Sequence, residues 1–158
     1  MLKLIKCEFL KLKRKKFIPL IILAAFLFPI PLTYLMTTPS MMERYTDRAD
    51  AFDGLFNMVL GYGIQFLLPC IIGVIAAILF FMERDNDTFK NLRTIPVTST
   101  QMVLAKIIVL FIFGIVFCVA STIATILCGF GTLEVYGIGY KLFLAVETGI
   151  FITAGTLP

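Results

Sequence analysis

The chain has 158 residues, 59% of them hydrophobic and 15% charged, with a formal net charge of +4. A soluble domain carries about 25% charged residues, and here residues 17–36, 54–82 and 107–133 contain no Asp, Glu, Lys or Arg at all. Each stretch is long enough for the roughly 20 residues that cross about 30 Å of hydrocarbon, which excludes a soluble globular domain and predicts an all-α membrane protein of about four transmembrane helices.

In chain order, residues 2–16 come first. Leu2, Ile5, Phe9 and Leu12 recur at three- and four-residue spacing, with Lys3, Lys6, Lys13 and Lys16 away from that face. The pattern predicts an amphipathic helix in the bilayer interface, apolar face down. A plain cytoplasmic anchoring tail is the alternative. Seven of the 14 basic residues precede the first apolar stretch. Lys13, Arg14, Lys15 and Lys16 stand beside the span, where cations orient the chain and meet anionic lipid, so the charge points to membrane rather than nucleic acid.

The first apolar stretch, residues 17–36, exceeds the roughly 7–15 residues of a signal core, and no A-x-A site follows it, so it reads as a retained span. Pro29 and Pro31 remove backbone donors and should kink or end its helix. Residues 37–53 form a polar loop holding Glu43, Asp47, Asp50 and Asp53. Residues 55–82 form span two. At about 1.5 Å per residue they would extend about 42 Å, so the helix tilts or its first turns leave the hydrocarbon. Gly61, Gly63 and Pro69 are its expected break points.

Residues 83–106 follow, then span three over 107–130 and span four over 142–158. Gly73 with Ala77, and Ala120 with Ala124, have helix-contact spacing. Basic residues number seven, two, four and one across successive flanks. That alternation places the N-terminus and residues 83–106 in the cytoplasm. Tyr34, Tyr45, Tyr136 and Tyr140 then gather at the outer face. The whole is one transmembrane domain. It ends at Pro158, at the edge of span four, as a truncated or N-terminal portion would; a complete small protein is the other reading.

Histidine is absent, and Cys7, Cys70, Cys118 and Cys128 form no C-x-x-C pair. No disulfide, metal site or catalytic residue is expected. No Gly-x-x-x-x-Gly-Lys-Ser/Thr loop is present to cradle ATP. Glu147 is the one ionisable residue inside an apolar segment, a rim carboxylate or a group on a substrate path.

The most informative segment is residues 83–106. Asp85, Asn86 or Asp87 can cap a short helix, Phe89 and Leu92 share a face, and Pro96 stops it. Thr98-Ser99-Thr100-Gln101 has the form of a capping box, so span three should begin near Ser99. A short amphipathic helix between two spans is a lever for a soluble partner, or else an ordinary interfacial turn. The run Glu83, Asp87, Thr88, Phe89, Lys90, Asn91, Leu92, Pro96, Val97, Ala105 and Lys106 resembles the first cytoplasmic loop of type-2 ABC-transporter permeases. The opening residues 4–13 resemble their N-terminus. The nearest subgroup is the Gram-positive permeases of bacitracin and lantibiotic export or immunity.

This resemblance implies a six-span permease without enzymatic activity of its own, paired with a second permease subunit and with separate ATPase subunits that hold ATP and magnesium. Glu83 would then close span two. Asp87, Thr88, Phe89, Lys90, Leu92, Arg93 and Pro96 would form the ATPase-coupling loop, in the plasma membrane of a Gram-positive bacterium. A non-transporting adaptor or immunity protein and a proton-coupled small multidrug carrier are the competing readings.

Overall fold

The computed structural model describes residues 2–13, 17–85 and 98–156. Every regular element among them is helical. Helix α1 spans Leu2–Lys13 and α2 spans Phe17–Leu27. The ladder reaches Phe28, whose N–H donates to Ala24 O at 3.1 Å. Pro29 and Pro31 then have no N–H for the carbonyls behind them, so α2 stops and α3 starts afresh over Pro29–Met36. The expected first span is therefore two helices joined by a turn. The Thr37 and Thr38 hydroxyls donate to the carbonyls of Tyr34 and Leu35, ending α3.

A short α4, Pro39–Met42, precedes α5, Arg48–Met58. Part of the expected polar loop is thus helical, and Asp50 in the first turn of α5 suits the positive end of the helix dipole. No break follows at Gly61 or Gly63. Instead the chain widens into a π-helix over Val59–Leu67, then continues as α6 over Leu68–Asp85. Pro69 has no N–H to return to Gln65, and the wide turns end beside it.

Helix α7 runs Ser99–Gly129 and α8 runs Ile138–Thr156. The α7 boundary falls at Ser99, but the Thr98 hydroxyl makes no capping bond. The Thr98 carbonyl instead accepts the N–H of Gln101 at 3.0 Å. Gly137, at φ +63°, turns the chain into α8 through a left-handed conformation that favours glycine.

Helix α7 is the hub, packed against α1, α2, α3, α6 and α8. One apolar cluster joins Ala25, Leu68, Ile72, Leu79, Val109 and Phe117. A second, at the other end, gathers Met36, Phe52, Leu55, Val59, Ile126 and Leu133. The α7–α8 contact is close because it uses glycine: a Cβ on Gly114 would strike Thr153, and one on Gly149 would strike Cys118. Two threonine hydroxyls beside this seam bond within their own helices. Thr122 donates to Cys118 O at 2.8 Å and Thr153 to Gly149 O at 2.6 Å. Away from water, that is how a hydroxyl stays satisfied. Ala120 and Ala124 are buried in the bundle, whereas Gly73 and Ala77 are exposed, so among the described residues the latter pair is not part of the packed core.

Among the described residues, the helices over Arg48–Phe81, Thr100–Gly129 and Ile138–Thr156 are long and apolar enough to cross a membrane, and the apolar helical stretch Ile21–Met36 is shorter.

Candidate functional site

Two clusters of interacting charged side chains stand at opposite ends of the bundle. The first adjoins the segment between α6 and α7. Of the residues expected to form the coupling loop, Asp87, Thr88, Phe89, Lys90, Leu92, Arg93 and Pro96 lie outside the described residues, as do Arg14, Lys15 and Lys16. Glu83 falls in the last turns of α6, and Lys13 closes α1.

The scaffold flanking that segment is pinned together. Lys106, buried near the start of α7, donates to Leu79 O of α6 at 3.2 Å, and its ammonium lies 4.5 Å from the centre of the Phe80 ring. A lysine stem lying on apolar surface with its head on a carbonyl and a ring face is held by desolvated polar contacts. Helix α1 docks on α7 through buried Leu12 and through Phe9, which stacks on Phe113 with centroids 5.6 Å apart. Glu8 is buried as well, paired with Lys11 at 2.6 Å. The face read from apolar spacing therefore needs correcting: Glu8 belongs to the buried stripe, and Phe9 stands at its edge, 41% exposed. Periodicity of apolar residues cannot find a buried carboxylate whose partner is one turn away.

The second region was not foreseen as a site. Asp53 of α5, Tyr136 of the α7–α8 connection and Lys141 of α8 converge on one point. Lys141 Nζ lies 2.6 Å from Asp53 Oδ1 and donates to Tyr136 O at 3.1 Å. The Tyr136 hydroxyl donates to Asp53 Oδ2. The ammonium also faces three rings, 3.9 Å from the centre of Tyr136, 4.9 Å from Phe52 and 6.0 Å from Phe56. The Lys141 side chain is 6% exposed and that of Asp53 42%. A cleft of about 400 Å³ opens beside them, with Asn57, Tyr140 and Leu144 on its walls.

Donating to Asp53 holds the Tyr136 phenol above its usual value, and desolvation and the charges of Asp53 and Asp50 push the same way. The sequence signal for this cluster was thin: tyrosines gathered near one face and a glycine-marked turn. Pairing an acid with a lysine from a distant helix requires the fold. Glu147 is exposed on α8 and is not among the residues lining the cleft. Among the described residues no three Cys, Asp or Glu side chains group as metal ligands would, and all four thiols are free.

Long apolar helices, three of them among the described residues able to cross a membrane, packed on one another with threonine hydroxyls bonded inside their own helices, define an all-α, multi-pass membrane protein. A family model described as ABC-2 family transporter protein matches residues 4–158, and the chain belongs to that family. It is accordingly of the permease kind, a membrane component of an ABC-type exporter, and such permeases work with an ATPase and typically pair with a second permease. Comparison with curated proteins and with solved structures returns no match.

Proposed function

We propose that this chain is the membrane-spanning subunit of an exporter that moves a hydrophobic or cationic peptide, of the bacitracin or lantibiotic kind, out of a Gram-positive cell. ATP and magnesium are held by a separate ATPase subunit, and this chain has no enzymatic step of its own. The N-terminus and residues 83–106 face the cytoplasm, and residues 88–93 are the coupling segment gripped by the ATPase.

One observation carries the reading. The helices on either side of residues 86–97 run unbroken through the bundle and are tied together at their loop ends by Lys106. A push applied between α6 and α7 therefore reaches the opposite end, because packed helices deliver displacement rather than absorb it. The first region is the driven end, and α1, docked on α7 through Leu12 and the stacked Phe9, moves with it.

A further feature fits a paired permease. Gln65 is exposed in the middle of an apolar span, beside exposed Tyr62 and Phe66. A primary amide facing hydrocarbon is costly, so this face suits a second subunit or a water-filled path.

The test has two arms. Deleting residues 88–93 should abolish co-purification of the ATPase while leaving the chain in the membrane; undiminished recovery of the complex overturns the coupling assignment. Vesicles carrying the complex should then release a labelled cationic peptide only with ATP. Release without ATP would favour a proton-coupled carrier, and no release from an intact complex a non-transporting adaptor.

A further inference from the structure

We infer that the cleft bounded by Asp53, Tyr136 and Tyr140 is a binding site for an alkylammonium group, the lysine side chain of a peptide, and that Lys141 is its built-in competitor. The inference rests on the export reading only for the identity of the natural ligand.

The chemistry is visible because an ammonium already occupies the cage. Lys141 Nζ has a carboxylate at 2.6 Å, a carbonyl at 3.1 Å and the Tyr136 ring at 3.9 Å. A buried cation is tolerated only where charge, hydrogen bonds and ring faces together replace its water. The same three elements would hold any alkylammonium that reached them.

The cage is also not closed. The adjoining cleft of about 400 Å³ is lined in part by Asp53 itself, and the Asp53 side chain is 42% exposed. A second ammonium can therefore approach the carboxylate from the cleft, along the exposed ring of Tyr140, while Asn57 on the cleft wall offers an amide to a peptide backbone. A volume of this order lies within the range of small-molecule sites.

An anionic ligand does not fit. Among the described residues the one cation lining the cleft, Lys141, is already committed to Asp53 and Tyr136 O, and the ring faces around it carry negative potential. An incoming ammonium competes with Lys141 for Asp53. When it wins, the tie between α5 and α8 is cut, so occupancy and helix separation are linked. Competition also sets the affinity. If Lys141 is seated about nine-tenths of the time, a ligand binds the native chain about tenfold more weakly than a cage without its lysine.

The experiment uses the full chain with its ATPase in lipid nanodiscs, without ATP, and titrates Nα-acetyl-lysine amide against its uncharged match Nα-acetyl-norleucine amide by calorimetry. The lysine probe should bind the native protein, bind Lys141→Met about tenfold more tightly, and lose binding in Asp53→Asn. The norleucine probe should bind none of them.

Equal binding of both probes overturns the inference, as does binding that survives Asp53→Asn. Binding to Lys141→Met with none to the native chain also overturns it, since Lys141 is then a fixed brace. Should Asp53→Asn, the more destabilised variant, fail to fold, the gain in affinity of Lys141→Met over the native chain and the comparison of the two probes still decide. Because no ATP or transport is involved, failure here leaves the export reading untouched, and failed export leaves this binding measurable.

Discussion

Removing either partner of the Asp53–Lys141 pair should have unequal consequences, and the inequality can be worked from exposure. The Lys141 side chain is 6% exposed and that of Asp53 42%. Asp53→Asn leaves a buried ammonium with a carbonyl and ring faces but no counter-charge. Stranding one member of a fully buried pair costs about 3–5 kcal/mol. With Tyr136 O and the rings remaining, and the pair open on one side, about 2–3 kcal/mol is expected. Lys141→Met leaves instead a carboxylate that water can reach and that Tyr136 still serves. The thioether lies against Phe52 and Phe56, where sulfur–aromatic contact is favourable, so the cost should stay below about 1 kcal/mol. The double variant should resemble Lys141→Met, because the buried charge is gone. For a chain of this size, about 1 kcal/mol shifts the melting temperature by roughly 2–4 °C. Thermal melts followed by circular dichroism in detergent should therefore place Asp53→Asn about 4–12 °C below the native chain, with the other two variants within about 4 °C. If Lys141→Met were as damaging as Asp53→Asn, the asymmetric burial would not be governing the pair.

Gly149→Ala should destabilise by about 1–3 kcal/mol, since its Cβ meets Cys118. Combining it with Cys118→Ala should recover part of that loss, as a double-mutant cycle of the same melts would report. Lys106→Ala should cost about 2 kcal/mol through its buried charged hydrogen bond. It should also weaken ATP-driven efflux while leaving the ATPase bound, which pull-down and vesicle assays separate. The Tyr136 phenol is held above its usual value, so its contribution is fully present below about pH 10 and lost as pH rises through the raised value. Phenolate absorbance should contain a late step that Tyr136→Phe removes, together with the matching alkaline loss of stability.

The neighbourhood of Phe28 illustrates what chemistry local to the chain can state. Pro29 and Pro31 lack N–H groups wherever the helix lies, and the helix does end at Leu27. The start of α7 at Ser99 was legible for the same reason: Thr98 favours an extended cap and the residues after it favour a helix. The π-helix was not legible. Gly61, Gly63 and Pro69 mark weakness, but whether a weak point breaks or widens depends on the neighbours that hold it straight. Here Ile64 and Leu68 are locked into the same buried cluster as Phe113 and Phe117.

That the protein is helical and membrane-spanning could be read from the residues in order, because runs of apolar residues without charge have one stable solution where no water is available for the backbone. Residue order also placed every charge but Glu147 outside those runs and marked the segment between α6 and α7. The burial of Glu8, the closeness of α7 and α8 at Gly114 and Gly149, and the cage shared by Asp53, Tyr136 and Lys141 emerge from helix packing alone. Those facts depend on which face of one helix meets which face of another. Such contacts join residues far apart in the chain, and spacing along the chain carries no information about them.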